Sequence, residues 1–160
     1  MEKRYGATER NDRLMQIGRN KWELIYGYGT DSVSGWTLRE RFTHKPTADE
    51  IKEVIISEVN KRVDGEILNG FQWNGIPVYL STENQFNFKV VYDMAEMSQE
   101  ETLPVKFKLG EDELGEPMYY EFTTIEELRD FYKQAMYFIN KTINDGWEEK
   151  DSINMEAFLN

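Results

Sequence analysis

Cysteine is absent from this 160-residue chain, and histidine occurs once, at His44. The first absence removes disulfides, thiolate metal sites and thiol catalysis. The second removes multi-histidine metal centres and leaves one imidazole for acid–base work. Proline is scarce, with four residues. No apolar run approaches the roughly 20 residues needed to cross a bilayer. Residues 1–20 lack the apolar core of a secretory signal. The expectation is a soluble chain that stays in a cytoplasm, without cofactor, metal or membrane contact. Gly-x-Ser-x-Gly, phosphate-loop and dinucleotide fingerprints are all missing. Gly27-Tyr28-Gly29 follows a strand pattern, but no helix opens after it.

What is abundant is acid and aromatic surface. The net charge is −11, and aromatics make up 14% of the residues, enough to fill the core of one domain. The charge is uneven. Lys3, Arg4, Arg10, Arg13, Arg19 and Lys21 face only Glu2, Glu9 and Asp12 in the first 21 residues, so the remainder is more acidic than the whole. An acidic body repels phosphate backbones, which argues against nucleic-acid binding. Residues 1–20 have weak periodicity and read as a flexible basic arm. Its arginines, Arg4, Arg10, Arg13 and Arg19, either dock on an acidic neighbour or form a solvated tail.

Alternation places strands at 21–28 and 36–42, joined by a loop dense in turn formers. Thr47 with Glu50 forms a capping box, and Ile51, Val54, Ile55 and Val59 give a helical stripe that Asp64-Gly65 ends or weakens, with Asn69-Gly70 the firmer stop. The rest of the chain is organised around residues 70–88. Phe71 and Trp73 alternate with Gln72, and Asn74-Gly75 supplies the two positive φ angles of a type I′ turn. Ile76, Val78 and Leu80 return, with Pro77 restricting that strand to an edge. Ser81 or Thr82 then caps a helix running to about residue 97. The amides of Asn84, Gln85 and Asn87 are placed to satisfy backbone groups of neighbouring strands. Residues 98–102 read as a polar linker, and 103–109 and 118–122 as strands flanking an acidic loop. Thr123 or Thr124 caps a last, long helix whose stripe includes Leu128, Phe131, Ala135 and Ile139. It reaches Trp147 if it survives Gly146. Residues 151–160 form a short tail.

The expected fold is therefore α+β: one domain over 21–150, antiparallel hairpins each followed by a helix (ββα three times), with helices packed on one sheet face. Candidate chemistry is thin. The acidic loop of Glu111, Asp112, Glu113 and Glu116 lacks a calcium-loop pattern and reads as a solvated hairpin tip. His44 has no partner evident in the sequence. Trp22, Tyr26, Tyr28, Trp36, Trp73 and Tyr79 either fill the core or form a partner- or ligand-binding face.

The segment Gly-Phe-x-Trp-Asn-Gly-x-x-Val-x-Leu-Ser-x-x-Asn-Gln-x-Asn at 70–87 resembles a phage domain of unknown function found in tail and tail-fibre-associated proteins and in prophage-encoded proteins. The resemblance extends in pattern over about 50–150. It implies no catalytic residues. It implies a non-enzymatic structural or assembly role in a virion or a host cytoplasm, with phage structural proteins or the chain itself as partners and an oligomer as one expected state. The alternative is a glycan-binding module using Trp36, Trp73 or nearby tyrosines.

Overall fold

The computed structural model describes residues 1–159; the last residue of the expected tail, at 160, lies outside them. The fold is α+β, with antiparallel sheets. The residues group into two compact units, Met1–Asn60 with the end of the chain from Glu148, and Lys61–Trp147, where one domain over 21–150 is the expectation from sequence.

The first unit is built on a four-stranded sheet of β1 (Glu2–Tyr5), β2 (Arg13–Gly18), β3 (Lys21–Thr30) and β4 (Gly35–Phe42), in the order β1-β4-β3-β2. This corrects the reading of residues 1–20 as a flexible arm. β1 pairs along β4 and β2 along β3, each antiparallel. An edge strand gains a row of backbone hydrogen bonds from its neighbour, so it needs little apolar periodicity of its own. Asn20, at φ 58°, makes the tight turn from β2 to β3. Helix α1 (Ala48–Asn69) opens on the expected capping box: Thr47 Oγ1 accepts from the Glu50 amide at 3.2 Å, and Glu50 accepts from the Thr47 amide at 2.7 Å. Leu24, Tyr26, Ile51, Ile55 and Val59 are buried in this unit. So is Phe158 of the short helix α5 (Glu156–Leu159), in the expected tail.

The second unit holds two hairpins and two long helical segments. β5 (Phe71–Trp73) and β6 (Ile76–Val78) pair around Asn74 (φ 50°) and Gly75 (φ 76°), the expected turn. Helix α2 (Thr82–Met97) is capped by Ser81, whose hydroxyl accepts from the Asn84 amide. The Asn84 and Gln85 side chains donate to the carbonyls of Tyr79 and Leu80, both at 2.8 Å. The expected linker contains a single helical turn, α3 (Gln99–Thr102). β7 (Val105–Glu111) and β8 (Pro117–Phe122) form the second hairpin.

Helix α4 (Ile125–Asp151) runs on through Gly146, where a Cβ would lie 2.6 Å from Val63 of α1. Trp147 is nevertheless exposed, off the buried stripe. The core gathers Phe71, Trp73, Phe88, Phe107, Phe122 and Phe131 with aliphatic residues of β6, β7 and α4.

Trp73 is the tryptophan this core encloses, 1% exposed, against Tyr120, Phe122 and Phe131. Acrylamide quenching is expected to show one protected emission component that disappears in Trp73→Phe. Uniform quenching of the wild type would contradict this burial.

Candidate interaction surface

Side chains directly opposite in an antiparallel pair project to the same side of the sheet. In the first sheet, Trp22 pairs with Phe42, Leu24 with Leu14 and Glu40, and Tyr26 with Leu38. This is the helix-bearing face. Glu40 and Glu58 of α1 share the amino group of Met1, at 3.6 and 2.9 Å. The Tyr26 hydroxyl donates to Glu149 of α4 at 3.0 Å. Burial, followed by the Glu149 carboxylate, pushes the Tyr26 phenol up to about 12.

The other face has a different composition. Glu2, Arg39, Ile25 and Arg13 make one row across all four strands, and Arg41, Glu23 and Met15 make the next. Arg4 stands opposite Thr37. Alternation along β3 adds Lys21, and the register resumes past the bulge with Gly29 opposite Trp36, which puts Tyr28 on this face. Exposure is substantial at Arg41 (65% of the side chain), Arg4 and Met15.

Glu23 anchors the face. It is buried and accepts from Arg39 at 2.9 Å and from Arg41 at 3.0 Å. Burial pushes its carboxyl up, but the bonds and charges of Arg41 and Arg39 outweigh that and hold it below its ordinary value. Two guanidinium groups are thereby tied to one carboxylate. Arg4 pairs with Glu2 at 3.0 Å. Arg13 and Lys21 have no ion-pair partner among the described residues.

The aromatic residues singled out by sequence thus separate. Tyr28 is on the basic face with Arg4 and Arg13. Tyr26 (3% exposed) and Trp73 (1%) are buried, so neither offers a contact surface; Trp73 donates its indole N–H to Asp130 at 3.2 Å. Trp22 and Trp36 are half-buried on the helix side, under the ammonium groups of Lys45 (5.4 Å) and Lys3 (4.3 Å). Trp36 lies so close over Gly29 that a Cβ there would come within 2.3 Å of the ring. Arg10 is pinned by Asp12 at 2.7 Å, and Arg19 sits in the β2–β3 turn.

Tyr79 is elsewhere, in the second unit. It is 44% exposed, beside an open cleft of about 670 Å³ where β6 meets β7. The Tyr79 amide donates to the Leu109 carbonyl at 2.7 Å, and Gly110 passes so near Pro77 that a Cβ would lie 2.4 Å from its carbonyl oxygen. Asn69, Glu83, Asn84 and Lys108 line the rest.

The acidic β7–β8 loop is a tip closed by its own hydrogen bonds. One Asp112 oxygen accepts from the amides of Leu114 and Glu116, at 2.8 and 2.9 Å, and Gly115 turns at φ 79°. Glu111 pairs with Lys108, whereas Glu113 and Glu116 have no ion-pair partner among the described residues. Leu114 projects between them, 87% exposed.

His44 hydrogen-bonds Glu50 at 2.8 Å, beside the capping box, a partner the sequence did not reveal. Among the described residues no three Asp, Glu or His side chains converge as metal ligands, and no helix is long and apolar enough to cross a membrane. No protein-family model, curated protein or solved structure matches the chain.

Proposed function

We propose that this chain is a non-enzymatic structural or assembly protein of a phage or prophage, associated with the tail and acting through protein–protein contacts in a virion or in the host cytoplasm. The observation that carries the reading is the basic face of the first sheet, exposed at Arg4, Met15 and Arg41. An arginine-rich, partly apolar surface is held rigid there by a buried carboxylate, on a chain whose net charge is −11. Arginine and tyrosine in fixed positions are the residue types on which protein interfaces concentrate their energy. The acidic remainder favours a protein partner over nucleic acid. The resemblance of residues 70–87 to tail-associated phage domains supplies the setting. Quantitative mass spectrometry of purified particles of the encoding phage is expected to find the chain at fixed stoichiometry. Its absence from particles and from assembly intermediates would overturn the reading.

A second reading is supported by the Tyr79 cleft. An exposed ring beside amide and carboxylate side chains suits a saccharide, stacked on the ring and hydrogen-bonded at its hydroxyls. Binding on a glycan array that is lost in Tyr79→Ala would support it, and an empty array would end it. We also propose that the three strand–strand–helix runs fold as a single domain. Coincident unfolding transitions by fluorescence and circular dichroism are the expected result, and two separated transitions would contradict it.

A further inference from the structure

We propose that the basic face of the first sheet receives the β7–β8 tip of a second copy of this chain. The inference rests on the protein-contact reading and names the partner.

The tip and the face are complementary. The tip carries Glu113 and Glu116 without ion-pair partners among the described residues, and Leu114 stands out between them. The face carries Arg13 and Lys21, likewise without ion-pair partners among those residues, next to exposed Met15 and to the fixed Arg41. Both sides are pre-organised, the tip by the Asp112 carboxylate and its backbone amides, the face by Glu23. Little side-chain and loop entropy is then lost on docking. Leucine packs against methionine while carboxylates meet cations around it, an apolar centre with a charged rim.

The long-range repulsion between chains of net charge −11 is screened beyond roughly 8 Å at physiological salt, whereas contacts at ion-pair distance persist. The contact joins two different surfaces, so it is head-to-tail. Each copy keeps a free tip or a free face until the chain of contacts closes into a ring or extends as a filament. Repeating assemblies of that kind suit a particle component.

The test uses full-length chains in sedimentation velocity. Arg13→Glu/Lys21→Glu reverses the face and Glu113→Lys/Glu116→Lys reverses the tip; neither breaks an ion pair within the described residues, and circular dichroism checks folding. Wild type is expected to associate. Each variant alone is expected to stay monomeric at concentrations at least tenfold higher. A mixture of the two is expected to associate again, since the wild-type tip of the first meets the wild-type face of the second and the reversed pair is again complementary. Leu114→Ala, which changes no charge, should weaken association of the wild type.

A wild type that remains monomeric overturns the proposal. So does a tip variant that self-associates like the wild type, which points to a face-to-face contact. Either result leaves the protein-contact reading standing if the chain is still found in particles. Absence from particles with association intact removes that reading and keeps the contact.

Discussion

Replacing Phe131 with alanine is expected to destabilise the protein by about 3–5 kcal/mol, the range for deleting a buried phenylalanine side chain. Phe131 has no measurable exposure and is the ring around which the second unit's core is arranged. Its centroid lies 5.1 Å from Phe88, 5.1 Å from Phe122, 5.5 Å from Trp73 and 6.5 Å from Phe71. These rings come from α2, β8 and β5, so one truncation loosens three elements at once. Rings of that size fill the resulting void poorly, because moving one breaks its tilted or edge-on contact with the next. Urea unfolding checks the value. A loss below about 1 kcal/mol would mean that the core repacks freely, contrary to the dense packing expected of a protein interior.

The second large effect is expected at Glu23. Glu23→Ala should cost about 2–4 kcal/mol, somewhat less than breaking a fully buried ion pair because both guanidinium groups reach solvent. Arg39 already has a buried Nε without a hydrogen-bond partner among the described residues, as has Thr37 Oγ1 on the same face. Without Glu23, Arg39 loses the carboxylate that holds it.

The pH dependence has a definite sign. The Glu23 carboxyl is held below its ordinary value in the folded protein. Its contribution is therefore complete above the unfolded pKa, near the ordinary 4.5, and is lost as pH falls through the lower folded pKa. Glu23→Gln, which keeps the shape and removes the titration, should show a smaller loss of stability on acidification through that window. Parallel pH–stability curves for the two proteins would contradict the assignment.

Local chemistry made much of this fold legible. The Thr47–Glu50 box, the Asn74-Gly75 turn and the Ser81 cap each depend on a few adjacent residues, and each appears where its residue types place it. The amides of Asn84 and Gln85 bond backbone only five residues away, within reach of a local reading.

What the sequence left unread is non-local. β1 and β2 owe their form to pairing with β4 and β3, and nothing in their own periodicity announces it. The same holds for the aromatic residues. Tyr26 and Tyr28 are two positions apart, and simple alternation puts them on one face. The irregular pairing between Tyr26 and Gly29 separates them, leaving one buried and the other exposed. Trp73 and Tyr79 likewise differ in burial because Trp73 faces the Phe122–Phe131 core while Tyr79 follows the end of β6. The basic face was least visible, since its arginines come from β1, β2 and β4 and only the sheet order brings them to one side.

The most direct measurement of the central claim, that the basic face of the first sheet joins copies of this chain, is molar mass in solution by light scattering. It compares the full wild-type chain with Arg13→Glu/Lys21→Glu in the same physiological salt. The expected result is a multiple of 19.0 kDa for the wild type and 19.0 kDa for the variant. Equal masses for the two proteins, whether monomer or oligomer, would contradict it.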